Sequence, residues 1–373
     1  MGFRALLLSL VAVFSVAEEG VPTSLPDTGI SGVYEVIVGV KNSKEAIDYF
    51  DLFGFKVVSE AALSRAEAET LYGVPSAAKS YRLQNGKIDA HGLLRLIEWQ
   101  QPTGPGVGFA HPETVGFRVA VMRTEDIFRL ADIYTDLRQK AEQPWLVAGP
   151  VYDDLYDSTD GKPSMFNRRV GVREMGAYGG WFNHIFFQRY GYTIPGYGTV
   201  GDHAPLRTSE FTHHDFVVKG DLAEVTEYYS SVLGFRAEND PVIDGEWQHG
   251  PKAIFQMRPG DSHWYRGFVS PNDVSGKLKF FSLEGIRTAD DRSARQRPGE
   301  LGITLHSLWT PTLSKVHALA QDHGLSPTAI ARNEFGEKSF LMRGPDGVSW
   351  QIIQRAGAKN SAVTKFEFQK VNN

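Results

Sequence analysis

Internal repetition restricts this fold more than any other feature: one short plan of strand, helix and further strands recurs four times along 373 residues. A period overlooked at this level misassigns the whole architecture. Val33–Val40 leads into Lys44–Phe50 and then Phe53-Gly-Phe55, while Phe211–Val218 leads into Leu222–Tyr229 and then Leu233-Gly-Phe235. Each copy opens on β-branched and aromatic residues, as strands do, and continues with apolar residues at helical spacing. These are Ile47, Phe50 and Phe53 in one copy and Val225, Tyr228 and Val232 in the other. Gly54 and Gly234 stand where a helix C-terminus needs a left-handed residue.

Two weaker copies intervene. Val115–Val121 predicts a strand before a helix over Thr124–Leu137, and Leu301–Trp309 predicts a strand before a helix over Thr312–His323, ended by Gly324. Met175–His184 lies on Met342–Gln351 without a gap, each a turn feeding a last strand. The chain therefore reads as α+β: four βαβββ modules in two paired-module domains, residues 30–190 and 208–356. The Gly- and Pro-punctuated stretch 191–207 reads as a linker and 357–373 as a loosely held tail.

Composition removes several functions. A balance of 39 basic against 44 acidic residues leaves no electrostatic case for a nucleic-acid partner. Cysteine is absent, which excludes disulfides, zinc–thiolate centres, cysteine nucleophiles and a lipoprotein anchor. Any metal must be held by His, Asp, Glu, Gln or Asn. Arg4, the apolar run Ala5–Phe14 and Ser15-Val-Ala17 follow the order of a secretory signal peptide, so cleavage after Ala17 and a secreted or periplasmic location are expected. No later run is apolar for long enough to cross a membrane. There is no GxxxxGK[ST], HExxH or GxSxG, and the GxGxxG at Gly196–Gly201 lies in the linker without its flanking strand and helix.

Leu233-Gly-Phe235 and Phe53-Gly-Phe55 after the first helices, Gly344-Pro-Asp-Gly347 before the last strand and the paired module order together resemble the vicinal oxygen chelate superfamily. That family includes glyoxalase I, bleomycin-resistance proteins and type I extradiol dioxygenases. The resemblance implies curled sheets around a cleft, with a divalent metal (Fe, Mn, Zn or Ni) held by the first and last strands. Only one parity of a strand can reach such a cleft. In module three His214, Phe216 and Val218 form the apolar series, leaving His213, Asp215 and Val217 to the cleft. In module four Ile303, Leu305, Ser307 and Trp309 are the more apolar series; with that series against the helix, His306 points into the cleft.

The resemblance then assigns the metal to His213, His306 and Gln351, an amide replacing the usual carboxylate. A secondary cleft would contain Glu35, Glu98 and His184, with Arg118 where another ligand is expected. An arginine there suits a carboxylate-bearing substrate, and pairing of Glu35 or Glu98 with Arg118 or Arg95 is the structural alternative. His263 and His249, in the aromatic stretches His263–Arg266 and Glu246–His249, are acid–base candidates that would roof the cleft, or ordinary packing.

The functional expectation is an exported protein with a small-molecule cleft, acting as a metal-dependent ring-cleaving dioxygenase or a glyoxalase-like lyase or isomerase. The competing class is a metal-free ligand-binding protein of the bleomycin-resistance type, favoured by Gln351 and Ser282 in place of carboxylates. A third reading has the modules only mediating dimerisation. Four modules can close both clefts within one chain, so either a monomer or a homodimer is compatible.

Overall fold

The computed structural model describes residues 24–140, 144–157, 169–194, 196–238, 242–244, 249–258, 260–272, 275–284, 290–356 and 367–368. The expected signal segment lies outside them. Module one comprises β1 (Glu35–Val40), α1 (Ser43–Asp51), β2 (Phe55–Leu63), α2 (Arg65–Tyr72), β3 (Ala78–Asn85) and β4 (Leu93–Trp99). Module two is β5 (Arg118–Thr124), α3 (Ile127–Lys140), β6 (Leu146–Asp157), β7 (Arg169–Tyr178) and β8 (Asn183–Tyr190). After β9 (Tyr192–Thr193), module three runs through β10 (Thr208–Val217), α4 (Leu222–Val225), α5 (Glu227–Ser231), β11 (Arg236–Ala237), β12 (Val242–Asp244), α6 (His249–Ile254), β13 (Ser262–Val269) and β14 (Lys277–Glu284). Module four is β15 (Gly302–Thr310), α7 (Leu313–Asp322), β16 (Ala331–Arg332), β17 (Lys338–Arg343) and β18 (Ser349–Gln354); β19 (Glu367–Phe368) follows.

Each module lays its strands in the order first, fourth, third, second, and two first strands join antiparallel to make a continuous curled sheet. The joins do not follow sequence order. β1 pairs with β15, uniting modules one and four, and β5 pairs with β10, uniting modules two and three. The expected pairing of neighbours in sequence is thus corrected for the sheets. It survives in the cores: one apolar cluster joins α1 and α3 of modules one and two, and another joins α4, α5 and α7 of modules three and four. Sequence neighbours share a helix layer, while each cleft is built across the two halves.

Gly54 and Gly234 have φ of +87° and +78°, as the helix ends require. Close approach also selects glycine, because a Cβ at Gly234 would lie 2.2 Å from the Pro26 carbonyl oxygen. The expected helix over Leu222–Tyr229 is broken at Thr226 (φ −107°, ψ 2°). At the break Arg266 Nη1 donates to the Ala223 carbonyl and to Thr226 Oγ1, and Thr226 Oγ1 donates back to the Leu222 carbonyl, a local side-chain bond of the kind that bends helices. The capping box at Ser64 and Glu67 that starts α2 was missed by the repeat-based reading. Linker and tail are not featureless, since β9 pairs with β19. Among the described residues no helix is long and apolar enough to cross a membrane.

Candidate functional site

In the cleft of modules two and three, alternation along β10 turns His213, Asp215 and Val217 inward, while Phe216 and Val218 join the helix-side core. His213 is buried between aromatic rings, with Tyr197 stacked at 5.7 Å and Phe187 edge-on at 5.1 Å. Its Nδ1 meets Thr212 Oγ1 at 3.0 Å. Its Nε2 has no hydrogen-bond partner and lies 4.0 Å from Asp215 Oδ1, which also has none. Buried polar atoms in native proteins are nearly always satisfied, so two facing orphans mark a place for a ligand or water.

Charge around this pair is positive. Lys279, opposite Asp215 on β14, makes no ion pair with a carboxylate among the described residues; its ammonium lies 5.6 Å from the Phe187 ring centroid. Lys277 is tied to Glu238. Burial holds the His213 imidazole well below its ordinary range, and Lys279 and Arg189 push the same way. Burial raises the Asp215 carboxyl to about 6 against the attraction of Lys279. A neutral imidazole with an open Nε2 and a nearby ammonium can together bind an anion and accept a hydrogen bond from it. Hydrophobic walls are supplied by Val119, Val121, Ile185 and Phe281, with Phe255 packed on them.

The cleft of modules one and four is filled by its own charges. Arg95, fully buried, donates to both oxygens of Glu35, to Gln351 Oε1 at 2.7 Å and to Glu334 Oε1 at 3.2 Å. Arg82 donates to Glu35 at 2.5 Å and clasps Glu337 at 2.8 and 3.1 Å. Ser307 reaches Glu35 at 2.7 Å, while Tyr72 and Ser80 reach Glu334 at 2.7 and 2.8 Å. Burial pushes Glu35 up, yet Arg82 and Arg95 bring it down to about 2. The turn between β16 and β17 thus inserts an internal carboxylate, Glu334, capped by the Phe335 ring 4.3 Å from Arg82.

The three residues assigned to a metal do not meet. His213 is in the 2/3 cleft, Gln351 in the 1/4 cleft, and His306 lies between the sheets against Phe216 at 4.9 Å and His214 at 5.2 Å. The parity expected of β15 is therefore reversed. The 1/4 cleft is itself packed, with Leu305 joining Ile37 and Ile97, so the more apolar series did not mark the helix side. Glu98 is on the helix side, accepting from Ser43 Oγ at 2.5 Å, and not beside Glu35. Arg118 lies at the seam between sheets, 5.2 Å from the Phe216 ring, and pairs with neither glutamate. His184 is caged by aromatic rings, Phe182 at 4.5 Å and Phe53 at 5.0 Å among them, and burial lowers it to about 3. His263 is cleft-facing but sits opposite Leu283, at the far end of β14 from Lys277, the partner of His213. His249 begins α6, and its side chain lies outside the described residues.

A divalent ion does not fit either donor set. In the 1/4 cleft the lone pairs of Glu35 and Gln351 are taken by guanidinium, and in the 2/3 cleft His213 and Asp215 are joined by Lys277, Val121 and Phe187 around His213 and by Lys279 opposite Asp215. A unit cation beside an ammonium at 4 Å is repelled by about 4 kcal/mol at an effective dielectric of 20, and a divalent ion by twice that. Among the described residues no three His, Asp or Glu side chains converge.

A candidate dioxygenase from Bacillus subtilis superposes over 89% of this chain and 86% of its own, at 10% identity and a TM-score of 0.50. The chain has the vicinal oxygen chelate fold. Glyoxalase I from Zea mays matches over 87% of this chain and 93% of its own, at 14% identity and a TM-score of 0.48. A glyoxalase/bleomycin resistance protein from Streptomyces sp. CB03234 covers 38% of this chain and 97% of its own, at 15% identity and a TM-score of 0.25. No protein-family model and no curated protein matches the chain. At such identities the likeness is one of fold, and chemistry has to come from the clefts.

Proposed function

We propose that this protein binds a small organic anion with an aromatic or apolar body in the 2/3 cleft, without a metal. The observation that carries the reading is the facing pair of unpartnered atoms, His213 Nε2 and Asp215 Oδ1, beside the unpaired Lys279. Lys279 holds the anionic group, the apolar walls at Val121, Ile185 and Phe281 flank the body, and His213 Nε2 accepts a hydrogen bond from a ligand hydroxyl. This is the ligand-binding class of the fold rather than its metal-dependent class, whose donor set the residues do not supply. We further propose that the protein is exported after loss of residues 1–17, which N-terminal sequencing of protein from the extracytoplasmic fraction tests directly.

The binding test is a thermal-shift titration of the mature chain with 4-hydroxybenzoate. Stabilisation that grows with ligand concentration is expected, since a ligand specific to the native state adds RT ln(1 + [L]/Kd). Lys279→Met should weaken binding by roughly tenfold or more, the worth of one charge-assisted hydrogen bond. Stoichiometric uptake of Fe(II), Mn(II), Zn(II) or Ni(II) that disappears in His213→Ala would overturn the metal-free reading.

A further inference from the structure

Among the described residues, Arg118 is a buried cation without an ion-pair partner. It is 1% exposed, its Nε and Nη2 find no acceptor, and only Nη1 is used, on the carbonyls of Phe117 and Val217 at 3.2 Å each. The nearest acidic influence is Asp346, which makes no ion pair with it and is already held by Tyr229 at 2.7 Å and the Val348 amide at 3.1 Å. His306, Arg343 and the phenols of Tyr228 and Tyr229 are the other titratable groups near Arg118. Burial pulls Arg118 down to about 10, which leaves it charged at neutral pH. An unpaired buried charge of this kind costs several kcal/mol unless an anion joins it.

The space beside Arg118 adjoins a larger groove. Arg118 lines a void of about 10 Å³, roughly the room that one water-sized atom needs. Gly108, Gly180 and Trp181 line this void and also a groove of about 540 Å³. The groove is largely apolar, walled by Val40, Ala46, Tyr49, Leu301 and Trp181. A buried charge next to a largely apolar groove favours an amphipathic anion, whose carboxylate would reach Arg118 by displacing the Trp181 side chain that lines both spaces.

We propose that the seam between the two sheets binds a monocarboxylate with an apolar chain, its head on Arg118 and its chain in the groove beside Tyr49 and Trp181. This site is separate from the 2/3 cleft and does not depend on the function proposed for it.

Dodecanoate, 1-dodecanol and acetate, titrated into the mature full-length chain with tryptophan fluorescence and melting temperature as readouts, test the assignment. Dodecanoate should bind more tightly than either control. Arg118→Met should fold, because replacing a lone buried charge by an apolar side chain removes a desolvation cost. It should bind dodecanoate at least about tenfold more weakly and dodecanol as before. Ala46→Leu narrows the groove with Arg118 in place, and it should weaken dodecanoate and dodecanol alike. His213→Ala and Lys279→Met should leave dodecanoate affinity unchanged; loss of affinity there would put the ligand in the 2/3 cleft and overturn the inference. Equal affinity for dodecanoate and dodecanol, equal affinity for dodecanoate and acetate, or unaltered dodecanoate binding in Arg118→Met or Ala46→Leu, would overturn it as well.

Discussion

His184, His213, His214 and His306 are all buried and all held below the ordinary imidazole range, burial being the largest cause for each. The native state therefore excludes protons that the unfolded chain takes up below about pH 6.5. Stability from these groups is complete above that pH and is lost as the pH falls toward the folded value, about 3 for His184 and His214. Each contributes up to about 1.4 kcal/mol per pH unit across that window. His184→Phe removes one such contribution while keeping a ring inside the aromatic cage. Relative to wild type the variant should gain about 2 kcal/mol between pH 8 and pH 5. Urea unfolding at the two pH values measures this, and an identical difference at both would refute it. Residue parity shows what was legible here: His213 was placed correctly because Phe216 and Val218 truly pack on helices, whereas His306 was misplaced because both faces of β15 are apolar.

Elements decide which cleft is filled by its own charges. Helix α2 and the turn between β16 and β17 together deliver Tyr72, Glu334, Phe335 and Glu337 onto Arg82 and Arg95. Neither was legible from the repeat, which indicates the strand and helix plan but not the course of the connection between the second and third strands; only the Ser64–Glu67 capping box carried a local signal. The Glu35–Arg95 pairing was foreseen as a structural alternative, but the addition of Glu334 depends on contacts 239 positions apart in sequence. Glu334→Ala should cost about 2–4 kcal/mol, because it strips acceptors from a buried guanidinium and from two hydroxyls, whereas Glu334→Gln should cost less. Glu35 acts in the opposite pH sense to a raised group: its carboxyl, lowered to about 2, contributes stability above about pH 4.5 that disappears as the pH falls toward 2. Glu35→Gln should therefore be strongly destabilising at pH 7 and close to wild type in relative stability at pH 2. Chemical denaturation across pH 2–7 reads both effects, and a Glu35→Gln penalty that does not shrink on acidification would contradict the ion-pair account.

At the scale of the whole molecule, the two ways of grouping modules have different physical origins. Sequence neighbours bury their helices together, while strand edges are satisfied by pairing β1 with β15 and β5 with β10. The module count was readable because periodicity and glycine placement are local. The choice of sheet partner was not, because every first strand offers a similar edge. A fragment of residues 24–200 would keep the α1–α3 core but expose β1 and β5 edges, and unpaired edges of apolar strands recruit other chains. Expressed alone it should aggregate or self-associate, and so should residues 201–356. Co-expressed, the two should reassemble into one soluble complex that co-elutes on size exclusion and regains a cooperative unfolding transition. The cross-half sheets are the reason, since each half alone leaves its two first strands without their native partners. A soluble, monomeric and cooperatively folded N-terminal fragment would show that the sheet joins are dispensable, and with them the clefts that they build.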